Sequence, residues 1–177
     1  MSNARNLANL LGTSTTIPDA KIASITASKL PSGSVLQVVG TTNDVDVNQT
    51  GSTSMTDSIS QVITPSSASN KIMVVGNHHY TLYAQTYSQM KVRLIRTIGG
   101  SDTSLLGENY LFAQHGSGSY YPYDLGGMPM NILDAPSTTS EITYHIQFAK
   151  HGSSGTLYHL HANHYGASSL ILMEVKG

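Results

Sequence analysis

Residues 141–149 read Glu-Ile-Thr-Tyr-His-Ile-Gln-Phe-Ala, and this stretch decides the fold. Ile142, Tyr144, Ile146 and Phe148 take every second position, with Glu141, Thr143, His145 and Gln147 in the alternate ones. Successive side chains of an extended chain point to opposite faces, so the segment is predicted to be a strand that buries one face and wets the other. Just before it, Asp134 and Pro136 sit in a tight connection from an earlier strand, Met128 to Leu133. After it, Thr156 to Ala162 and Ser168 to Val175 read as strands. Toward the N-terminus, strands are expected at Thr103 to Phe112, at Lys91 to Ile98 before a Gly99-Gly100 turn, and at Lys71 to Val75 with an extension toward Tyr83. Ser58 to Thr64 and Ser34 to Val39 complete the set. Eight to ten strands, turn signals every 8 to 12 residues and no long helical pattern predict an all-β, antiparallel β-sandwich or jelly roll. No fixed-period repeat points to a solenoid.

A chain of 177 residues that is 39% hydrophobic can bury one sizeable core. Charged residues supply only 11%, against roughly 25% in an average soluble domain. Hydroxyls replace them, in 24 Ser and 18 Thr, which suits strands, turns and densely packed assemblies where charged neighbours would repel. The net charge of −1 lacks the basic footprint of a nucleic-acid binder, so no nucleic-acid partner is expected. Cysteine is absent, which rules out disulfides and thiolate metal sites. No apolar run is long enough for a signal peptide or a membrane-inserted helix.

The first thirty residues differ from the rest. Leu7, Leu10 and Leu11 lie at helical spacing with Gly12 as a C-cap, and a Thr/Ser run leads to Ile17-Pro18. One short helix cannot cover those leucines by itself, so they need the chain's own domain, sister chains or a larger docking site. The chain therefore divides into an N-terminal anchor and linker, 1–30, and a head domain, 31–177.

Candidate chemistry is sparse. No catalytic residues are assigned: the sequence lacks a Gly-x-Ser-x-Gly elbow and a phosphate-cradling loop, and its ten acids are scattered. His159 and His161 are two apart and share one strand face, a pattern able to supply imidazole ligands to a metal or simply to face solvent. Tyr120, Tyr121 and Tyr123 on a Gly/Ser loop read either as a platform for sugar rings or as rings packed on neighbouring strands. Residues 170–175 are apolar at both parities except Glu174, so the last strand is expected to be central and covered on both sides.

Several ordered segments resemble a family of small phage virion proteins whose head is a C1q/TNF-like trimerising jelly roll. They are LPSGSVLQVV (Leu30 to Val39), ITPSSASNKIMVV (Ile63 to Val75), VRLIR (Val92 to Arg96) with LLGE (Leu105 to Glu108), ILDAPSTTSEITYHIQFA (Ile132 to Ala149) and SLILMEV (Ser169 to Val175). The match runs over roughly residues 30–177. The resemblance implies a non-enzymatic, homotrimeric structural protein at the particle surface, made in the host cytoplasm and released by assembly. It implies a head decoration or cement protein, or a short appendage, because only some thirty residues precede the head. The alternative is a tail-fibre tip or receptor-binding knob that holds a host surface glycan on Tyr120, Tyr121 and Tyr123. Leu7, Leu10, Leu11 and Ile17 would dock on capsid or tail proteins, and Leu170, Leu172 and Glu174 would pack the trimer. If the histidine face met the threefold axis, His159 and His161 of three chains would offer six imidazoles to a metal ion; otherwise no cofactor is implied.

Overall fold

The computed structural model describes residues 27–45, 47–49, 53–83, 87–114, 123–151, 156–159 and 166–177. A single turn of 3-10 helix at Ala27–Lys29 precedes ten strands among the described residues. These are β1 (Val35–Asn43), β2 (Val47–Gln49), β3 (Thr56–Ile63), β4 (Lys71–Tyr83), β5 (Tyr87–Ile98), β6 (Ser101–Gln114), β7 (Tyr123–Asp134), β8 (Ile142–His151), β9 (Thr156–His159) and β10 (Ser168–Val175). Of residues 141–149, all but Glu141 fall on β8, whose residues alternate between buried and half-exposed from Ile142 to Phe148.

Two antiparallel sheets form a sandwich. The first runs β1–β10–β4–β7, and β2 and β9 prolong the β1 and β10 columns, since β4 pairs first with β10 and then with β9. The second runs β3–β8–β5–β6. The chain stays in one sheet from β1 to β2, from β5 to β6 and from β9 to β10, and changes sheet at every other step between the described strands, which is the winding of a jelly roll. The hairpin turns on Gly99 and Gly100, at φ +57° and +81°, two left-handed positions that only glycine takes without steric cost.

The core lies between the inner faces. Ile142, Tyr144, Ile146 and Phe148 of β8 meet Ile72, Val74, Met130, Leu170 and Leu172 from the first sheet, all fully buried. Phe148 also stands 5.4 Å, centroid to centroid, from the buried ring of His78, whose Nδ1 is 2.9 Å from Ser58 Oγ. A polar clasp joins the sheets at one end. Arg96 Nη1 donates to both oxygens of Asp134 at 2.8 Å, and Tyr144 OH donates to Asp134 Oδ2 at 2.7 Å. Burial, then the hydrogen bond and charge of Asp134, push the Tyr144 hydroxyl far above its usual pKa, so it remains a donor. The end of β7 thus does more than lead into a turn: its last residue, Asp134, ties the first sheet to two strands of the second, β5 and β8.

Candidate functional site

The outward faces of the two sheets differ in chemistry. On the second sheet, Asp57 Oδ2 lies 2.9 Å from His145 Nδ1, Gln147 Nε2 donates to Asp57 Oδ1 at 2.7 Å, and Arg93 Nε donates to Gln147 Oε1 at 2.9 Å. That face is a polar lattice suited to water.

The first sheet turns an apolar face outward. Register places Val38, Met173, Met73 and Leu133 side by side across β1, β10, β4 and β7. Directly opposed residues of antiparallel strands share a face. Ile171 and Val75 stand in the next row, between Gly40 and Asn131, and Val175 lies beyond Met173. Val38 is 57% exposed and Leu133 51%, while the central Met73, Val75, Ile171 and Met173 are half-buried by one another. Contiguous apolar surface of this kind, unlike scattered single residues, marks an interaction face.

Leu170, Leu172 and Glu174 were the residues expected to pack sister chains, and here the geometry requires a correction of phase. All three point into their own domain: both leucines are in the core, and Glu174 is only 1% exposed. A side chain already covered within one chain has no surface left to bury against another. Glu174 is instead caged by neutral donors. Its Oε1 accepts from the Ser66 backbone N–H at 2.6 Å, Ser66 Oγ at 2.8 Å and Asn70 Nδ2 at 2.6 Å, and its Oε2 from Gln37 Nε2 at 2.7 Å. Burial alone would raise its pKa, yet these donors outweigh it and hold the carboxyl below the usual value. The Ser66–Asn70 turn therefore serves a buried anion as well as its own backbone. The outward positions Ile171, Met173 and Val175 went unassigned in the sequence, though the apolar residues at both parities signalled them.

Other expected sites are placed only in part. Leu7, Leu10, Leu11 and Ile17 lie outside the described residues, as do Tyr120, Tyr121 and His161. Tyr123 begins β7, opposite Tyr83 on β4, and His159 ends β9, opposite Val47 on β2; for both only the backbone is described. Among the described residues no group of three or more His, Asp or Glu is placed to hold a metal ion, and no helix is long and apolar enough to cross a membrane.

No protein-family model matches the chain, and no curated protein matches its sequence. Solved structures similar to it include the infectious bursal disease virus VP2 subviral particle, at 13% identity and TM-score 0.42 over 78% of this chain and 39% of that one. Another is the T13 viral particle of the same virus, at 15% identity and TM-score 0.42 over 78% of this chain and 37% of that one. The chain thus spans well under half the length of either.

Proposed function

We propose that the chain is a non-enzymatic structural protein of a phage particle, a surface decoration or cement protein or a short appendage. In this reading it works as a homotrimer whose subunits meet through the outward face of the first sheet, docked on capsid or tail proteins through residues 1–30. The carrying observation is the row Val38–Met173–Met73–Leu133, an apolar band across four strands on a domain whose opposite face is polar. A lone subunit would leave that band in water; sister subunits remove it at about 25 cal/mol per Å² of apolar surface. The low charge and the ordered motifs resembling phage virion heads support the same reading.

Native mass measurement at micromolar concentration tests it. Three-copy species, or multiples of three, are expected for the unaltered chain, and loss of three-copy association for Met73→Glu or Leu133→Lys. A folded monomer in the unaltered chain overturns the proposal.

A further inference from the structure

Among the described residues five strands are paired on one side only: β2, which is only three residues long, and four long ones that are not protected alike. Unpaired edges normally carry charge, proline or a bulge, because an exposed edge otherwise recruits another strand. β7 contains Asp124, Pro129 and Asp134. β6 contains Asp102 and Glu108. β3 carries Asp57 beside a register shift, its Ser58 carbonyl accepts from the Asn43 side chain, and the Thr64 carbonyl just past its end accepts from Gln37. Among the long edges β1 is the exception. Its nine residues, Val-Leu-Gln-Val-Val-Gly-Thr-Thr-Asn, hold no charge and no proline, and the one register shift lies at the start, between Val35 and Gln37. From Gln37 to Asn43 it is a regular strand paired on one side only, by β10, among the described residues.

We infer that β1 is a strand-addition site whose occupant is β1 of a second copy, paired antiparallel about a twofold axis. Self-pairing suits this strand because the other three long edges carry the protection it lacks. A twofold contact matches a patch with itself, and antiparallel order continues that of the first sheet. Centred on Gly40, the pairing sets Val38 of each copy opposite Thr42 of the other, a β-branched pair on each side of a residue with no side chain to clash. The contact lies in the plane of the sheet, whereas the apolar band faces out of it, so one contact leaves room for the other. The inference goes beyond the trimer: closed trimers joined edge to edge make six-copy assemblies, and further twofold joins extend a surface.

Native mass measurement separates the two contacts. With both present the unaltered chain reaches six copies; Thr42→Lys, which puts a charge on the exposed edge, leaves three, and Leu133→Lys leaves two. An unaltered chain that stops at three copies overturns the edge contact but keeps the trimer, and one that stops at two does the reverse. Persistence of six copies in Thr42→Lys also overturns it. Hydrogen exchange of the native chain gives a reading without variants: amides of residues 37–43 become more protected as protein concentration rises. Protection there that ignores concentration assigns the edge to a segment of the same chain and refutes the inference.

Discussion

Glu174 shows how one residue misdirects a sequence reading. In the run Leu-Ile-Leu-Met-Glu-Val, either parity of the strand can face the core, and a carboxylate ordinarily marks the wet side. The chain overrides that rule with four hydrogen bonds from Ser66, Asn70 and Gln37, donors 104 to 137 residues away in sequence. Nothing local to Glu174 announces them. The cage makes a pH prediction. Because the folded-state pKa lies below the ordinary value of 4.5, the stabilisation is complete above that value and drains away as pH falls through the folded-state pKa. Glu174→Gln should lose about 1–3 kcal/mol at neutral pH, since its amide N–H₂ faces donors, and should flatten the acid limb of stability. Urea unfolding from neutral pH to about pH 3 reads both effects; an unchanged acid limb would mean that the cage does not govern it. In the same cross-strand row, on the far side of Ile72, Asp134→Asn strands the largely buried Arg96 charge and should cost about 3–5 kcal/mol. Tyr144→Phe deletes one of three hydrogen bonds to that carboxylate and should cost only about 1 kcal/mol. Equal losses in chemical denaturation would contradict this account of the clasp.

Strands were far easier to read than their phases. Local alternation located β8, and the apolar runs located β4 and β10, because period-two burial is written in neighbouring residues. β2 escaped notice: three residues, Val-Asn-Gln, gain strand character only by pairing with β9. The first five residues of β7, Tyr123 to Gly127, also lie outside the strand expected at Met128 to Leu133, since pairing with β4 rather than propensity carries them. One element-level constraint is invisible in sequence. Gly76, in the middle of β4, lies where a Cβ would stand 2.8 Å from Ile146 Cδ1 and 3.2 Å from the Met130 carbonyl oxygen. The glycine is there for space between the sheets, not for backbone freedom. Gly76→Ala should therefore cost about 1–3 kcal/mol by overpacking. Ile146→Val removes the contacted methyl, so the double variant should recover part of that loss. A double-mutant cycle with no coupling would show that the two sheets do not touch there as described.

On the scale of the whole molecule, the sandwich has one apolar and one polar outside, with almost no net charge to organise an encounter. The all-β class followed from turn spacing and strand count, but the choice of outward face depended on which parity the core claimed, a decision made between sheets rather than within a strand. If the apolar band drives self-association, the energetics must bear the mark of apolar burial. Salt shortens the distance over which exposed charges act, from about 8–10 Å at ordinary ionic strength to about 3 Å at 1 M, yet Val38, Met73, Met173 and Leu133 offer no charge, so raising salt several-fold should leave the association constant nearly unchanged or slightly strengthen it. Association enthalpy should become more negative on warming, because removing apolar surface from water lowers the heat capacity. Met73→Glu should raise the dissociation constant at least tenfold, given about 1.5–3 kcal/mol for burying one methionine, before the added cost of a buried carboxylate. Arg93→Gln, on the polar outside, should leave the constant where it was. Dilution calorimetry at several temperatures and salt concentrations reads all four quantities. A steep fall in association with salt would move the interface to a charge-bearing surface such as the outer face of the second sheet, which carries Asp57 and Arg93.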